Sequence, residues 1–167
     1  MSRVVYKKVF KILKNFLLKR RLGSGIMLIQ RGDHDMTEIQ TQVKKACAVR
    51  IYKDGKEREY LAGTKQFEDV LAAWDEMTKQ ALPMPAFGVS LDALTREERK
   101  KGTWAEFLFA EEQGEELPFE RLLVQCEPQF CGFNLIRYTQ GGYNGRCYYL
   151  DLNGGDMSAL CECLANL

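Results

Sequence analysis

One histidine, His34, occurs in 167 residues. A Ser-His-Asp or Cys-His catalytic site must place its imidazole there, and so must a histidine-rich metal centre. Long apolar runs are missing from the N-terminal segment, where lysines interrupt every stretch before about 18 apolar residues accumulate, so no spanning helix is expected there. A secretion signal is not expected either, because the apolar core Phe16-Leu17-Leu18 is short and no small-residue cleavage site follows. Internal repeats, low-complexity stretches and long linkers are lacking. What remains is 46% apolar and 28% charged, the texture of one soluble domain with material for a sizeable core. That composition excludes a disordered chain, a collagen-like repeat and a coiled-coil rod.

The formal net charge of +1 hides a split. Residues 1–35 carry nine basic and two acidic residues, net +7; residues 36–167 carry 15 basic and 21 acidic, net −6. Val5, Val9, Ile12 and Phe16 recur at helical spacing, so Arg3 to Arg21 reads as an amphipathic helix, closed by Gly23-Ser24-Gly25. Lys7, Lys8, Lys11, Lys14, Arg20 and Arg21 give it a cationic side, suited to an anionic membrane surface, nucleic acid or an acidic protein. The competing reading packs the apolar stripe on the core and leaves the lysines in water. Thr37-x-x-Gln40 reads as a capping box directly after Met36, which allows a native start at Met36 and leaves residues 1–35 as a separate segment.

Residues 36–167 read as one α+β domain. Cys47 to Ala62 is a hairpin turning at Asp54-Gly55. Thr64 caps a helix carrying Phe67, Val70, Leu71, Trp74 and Met77 to about Gln80, where Pro83 and Pro85 follow. Thr95-x-x-Glu98 and Thr103-x-x-Glu106 both resemble capping boxes. The second is expected to open a helix with Trp104, Phe107 and Leu108 on one face, ending near Gly114. Phe119 to Gln125, Phe133 to Thr139 and Arg146 to Leu152 read as a three-stranded antiparallel meander, and Asp156 caps a last helix with Met157, Leu160, Cys161 and Leu164 inward. The expected architecture is an antiparallel sheet, N-terminal hairpin plus C-terminal meander, covered by helices on one side.

Candidate chemistry centres on Thr139-Gln140-Gly141-Gly142-Tyr143-Asn144-Gly145-Arg146. Its glycines permit positive φ, and successive N–H groups there can form a concave anion site. Arg137, Tyr138, Tyr143, Asn144, Arg146 and Tyr148 supply the side chains of a candidate binding face for a phosphate, a carboxylate or a protein surface. The competing reading is a hairpin turn whose glycines serve geometry alone. Asp151-x-Asn153-Gly-Gly-Asp156, with Glu162 at the twelfth position, echoes a calcium loop, but Gly155 and Asp156 fall where an oxygen ligand and a glycine belong, so no calcium is expected. Cys126-x4-Cys131 and Cys161-x-Cys163 fit zinc spacing poorly, and no metal or cofactor is expected. The six cysteines are expected as reduced thiols, with Cys47, Cys126 and Cys147 buried in strands. Paired acids such as Glu57/Glu59, Glu97/Glu98 and Glu111/Glu112 read as solvated surface.

These residues support a small cytoplasmic, non-catalytic binding or accessory domain that recognises a protein or small anionic ligand through the Tyr/Arg/Gly-rich hairpin. The alternatives are a small histidine-independent enzyme using Cys126 or carboxylates, and a peripheral membrane protein acting through residues 3–21. The net −6 of the body disfavours nucleic acid there.

Overall fold

In a computed structural model of the chain, residues 42–86, 88–110 and 119–167 are described. The basic segment with Lys7, Lys8, Lys11, Lys14, Arg20 and Arg21, and the helix expected from Thr37, lie outside the described residues. So do Glu111, Glu112 and the expected helix end near Gly114.

The hairpin forms as its turn chemistry dictates. Strand β1 (Ala48–Lys53) and strand β2 (Lys56–Leu61) pair in register about Asp54 and Gly55. Both turn residues have positive φ, 49° and 77°, so the turn twists with the strands it joins. Helix α1 (Lys65–Thr78) follows, and the Thr64 side chain accepts from the Phe67 N–H at 3.4 Å. Strand β3 (Leu82–Met84), strand β4 (Val89–Ser90) and helix α2 (Asp92–Glu98) come next. After them run strands β5 (Thr103–Leu108), β6 (Arg121–Cys126), β7 (Gly132–Tyr138), β8 (Gly145–Arg146) and β9 (Tyr148–Asp151), and helix α3 (Ser158–Ala165).

Seven strands form an antiparallel sheet in the order β2-β1-β5-β6-β7-β9-β3, while β4 and β8 pair separately. With three helices among the described residues, the fold is α+β, and both the hairpin and the β6-β7-β9 meander lie in the one sheet. One face of the sheet carries the main core. Alternate strand residues, among them Val49, Ile51, Ala105, Phe107, Leu122, Val124, Phe133 and Leu135, meet Phe67, Val70 and Trp74 of α1 and Leu160 and Leu164 of α3. Trp74 sits at the centre, its ring edge-on to Phe107 at 5.0 Å and to Phe133 at 5.6 Å.

Three local expectations give way to tertiary context, and Pro83, after the helix end, takes an unforeseen place. Thr103–Leu108 is a strand, not a helix. It lies between β1 and β6, with Ala105 and Phe107 on one face and Trp104 and Glu106 on the other. A central strand buried on both faces loses its polar alternation, so its Thr-x-x-Glu box imitates a helix start. Thr95 is buried within α2, whose first residue is Asp92, so it is no cap. Pro83 belongs to β3, at the sheet edge, where a missing N–H breaks no second ladder. Cys47 is exposed, just ahead of β1, whereas Cys126 and Cys147 are buried. Asp156 acts near its expected place: its Oδ1 accepts from the Ser158 N–H at 2.9 Å, at the first residue of α3.

The central position of Trp74 makes it the sharpest test of this core. Trp74→Ala is expected to lower the unfolding free energy by about 3–5 kcal/mol. Leu61→Ala, at a position 60% exposed on the edge strand, should change it by less than about 0.5 kcal/mol. Urea denaturation of both variants measures the difference.

Candidate functional site

The face of the sheet opposite α1 and α3 carries Arg50 and Tyr52 from β1, Trp104 and Glu106 from β5, Leu123 from β6, and Ile136 and Tyr138 from β7. Tyr52, Trp104, Leu123 and Tyr143 form a second, smaller core there, with Ile136 and Tyr138 packed against it. Glu106 lies beside it and is 0% exposed. A buried acid without partners costs several kcal/mol, and both oxygens here are engaged. Tyr52 donates its hydroxyl to Oε2 at 2.7 Å, and Tyr143 donates to Oε1 at 2.5 Å.

Arginines surround the trio. Arg50 Nη1 stands 3.7 Å from Glu106 Oε2, while the same side chain donates to Glu59 Oε2 on β2. Arg99, just past α2, donates from Nη1 to the Tyr143 hydroxyl, and its guanidinium carbon lies 4.0 Å above the Tyr52 ring. Burial, then the neighbouring Glu106, pushes the Tyr52 hydroxyl up to about 12. The same causes push Tyr143 further in that direction. Both phenols therefore stay protonated donors at neutral pH.

Tyr143 belongs to the glycine-rich segment, so this network anchors that segment on the sheet. The chain turns at Gln140 and Gly141, φ 50° and 85°, with Thr139 and Gly142 exchanging backbone hydrogen bonds. It then crosses towards α2. The Tyr143 N–H donates to Asp92 Oδ1 at 2.9 Å, and the Asp92 N–H donates to Asn144 Oδ1 at 3.1 Å. Arg96 Nε holds the Asp92 carboxylate at 2.8 Å. That contact first, and the Tyr143 N–H second, keep the Asp92 carboxyl below its ordinary range. The Gln140 N–H donates to Glu120 Oε1 at 3.0 Å. Two N–H groups that sequence pattern offered to an external anion are thus taken by carboxylates of the protein itself.

The six candidate binding residues do not form one patch. Tyr143 is 0% exposed, and its ring meets the half-buried Tyr138 edge-on at 4.9 Å on the second face. Arg137 shares the other face with Leu135. Its guanidinium carbon lies 5.0 Å from the Tyr148 ring centre, and its Nε donates to the Arg146 carbonyl at 3.0 Å. Asn144 and Arg146 are exposed. The structure therefore brings Arg137, Arg146 and Tyr148 together, and places Tyr138 and Tyr143 with Glu106. Sequence reasoning missed Glu106, Tyr52, Asp92 and Arg99. The one signal available was an acid set among Trp104, Ala105 and Phe107, an unusual neighbour for a solvated side chain.

The remaining candidates have structural employment. Asp151 Oδ1 accepts from the Asn153 N–H at 2.8 Å in the turn after β9. Among the described residues no cluster of three His, Cys, Asp or Glu side chains is arranged around a common metal position. Burial pushes the Cys126 thiol far above the usual thiol range and Cys161 up to about 11, which leaves little thiolate at neutral pH. Comparison with known protein families, curated proteins and solved structures returns no match.

The network makes two measurable statements. Glu106→Ala leaves two buried O–H donors without their acceptor and is expected to lower stability by about 3–5 kcal/mol, against about 1.5–3 for Tyr143→Phe, read by urea denaturation. A phenol whose folded value lies above its unfolded one stabilises fully below that unfolded value and loses its contribution as pH rises. Stability should therefore fall as pH rises from 10 to 12, and fall less steeply in Tyr52→Phe.

Proposed function

We propose that the domain is a non-catalytic binding or accessory module that meets an acidic protein surface or a small anionic ligand through the hairpin end carrying Arg137, Asn144, Arg146 and Tyr148. The observation that carries this reading is the setting of Arg137. Its guanidinium lies on the Tyr148 ring and is tied to the Arg146 backbone, yet among the described residues neither Arg137 nor Arg146 pairs with a carboxylate. A planar guanidinium held in advance loses little freedom when an anion arrives.

Tyr138 and Tyr143 enter this proposal as support for the surface rather than as contacts, because Tyr143 is buried. A cytoplasmic location with reduced thiols belongs to the same proposal. Among the described residues no helix is long and apolar enough to cross a membrane. An enzyme built on Cys126 is disfavoured by that thiol's burial, and one built on Glu106 by the two tyrosines that occupy its oxygens. The membrane-surface reading rests on residues 3–21, outside the described residues.

Titration of the full chain with a hexaglutamate peptide and with inorganic phosphate, followed by amide NMR, tests the proposal. Saturable shifts at residues 137 and 144–148 with either probe, reduced at least tenfold in apparent affinity by Arg137→Ala plus Arg146→Ala, are expected. Absence of saturable shifts there with both probes, or equal affinity in the double variant, would contradict it.

A further inference from the structure

A second feature lies at the β2 edge of the sheet, between the β1–β2 hairpin and the C-terminal end of α3. A cavity of about 370 Å³ opens between them. Its apolar lining includes Ile51 and Leu164, which are buried, and the half-buried Tyr60. Lys53, Lys56 and Arg58 also line it, with one acidic side chain, Asp54, and the last residue, Leu167.

The positive charge here is offset only in part by the protein. Among the described residues Lys44, Lys65, Lys79, Lys100 and Lys101 each pair with a carboxylate. Lys53 and Lys56, which do not, both border this cavity. Arg58 is held at the rim by the last residue, donating from Nη1 to a terminal oxygen of Leu167 at 2.6 Å, an oxygen that the Tyr60 hydroxyl also reaches at 3.3 Å, so Arg58 is not free. Two lysines without a carboxylate partner, Lys53 and Lys56, thus border a cavity with apolar lining, in a body of net negative charge.

The geometry points to a binding site for a small amphipathic anion. Its carboxylate or similar head would lie between Lys53 and Lys56, and its short apolar tail would lie against Ile51, Tyr60 and Leu164. Binding combines burial of the tail with Coulomb attraction in a partly desolvated site, so neither half alone suffices. The inference stands apart from the proposed hairpin surface, whose residues it does not use.

The test compares octanoate, octanol and inorganic phosphate, each added to the full chain below micelle-forming concentrations and followed by amide and methyl NMR. Octanoate should shift signals of Ile51, Lys56, Tyr60 and Leu164 saturably, with an affinity at least tenfold above that of octanol and of phosphate. Lys53→Glu plus Lys56→Glu, both exposed positions, should weaken octanoate at least tenfold while leaving the melting temperature of the free protein unchanged. The inference is overturned if octanoate leaves these signals unmoved, if octanol or phosphate matches it, or if the double variant binds octanoate as the parent does. The comparison among ligands stands on the parent protein alone, so a poorly folded variant would not remove the test.

Discussion

Glu106 constrains this protein more than any other single residue. An acid buried on a central strand must have each oxygen satisfied, or the fold bears a penalty comparable to much of its total stability. The two donors come from distant parts of the chain: Tyr52 from the first hairpin and Tyr143 from the glycine-rich segment. Satisfying one carboxyl group therefore fixes how the two parts meet. The position of α2 follows from the same requirement, because Arg99 joins the Tyr143 hydroxyl and Asp92 accepts the Tyr143 N–H.

The two faces of the sheet are stabilised by different physics. Under α1 and α3 the core is apolar and aromatic, non-directional, and tolerant of any sequence of the right volume and period. On the opposite face the small core is ringed by directional contacts: hydroxyl to carboxyl, guanidinium to ring, carboxylate to backbone N–H. Directional contacts add little net stability each, but they select one arrangement. That selectivity suits a face that must hold an irregular, glycine-rich segment in a single conformation. At the end of that segment the Arg146 carbonyl is held by Arg137, which reaches it from the other face of the sheet.

What the sequence revealed and what it concealed divide along the same line. The β1–β2 hairpin, α1, the meander and α3 were legible because each is written locally, in a two-residue turn, a helical period or an alternation. Strand β5 was not, since Thr103–Leu108 is buried on both sides by partners remote in sequence. Strand β3 was hidden by Pro83, which reads as a break until its place at the edge is known. For the candidate site, the hairpin was visible as a glycine cluster flanked by arginines. The burial of Tyr143 was not, because the group that receives it lies 37 positions away and the carboxylate that receives its N–H lies 51 positions away. Local pattern carries no information about such pairings.

The central claim is that Glu106 and Tyr143 act as one coupled unit. A double-mutant cycle of Glu106→Gln and Tyr143→Phe, with unfolding free energies from urea denaturation, tests it most directly. The account predicts a coupling of about 1–3 kcal/mol, as for contacting residues in one hydrogen-bonded network. Additivity within about 0.5 kcal/mol, the behaviour of independent sites, would contradict it.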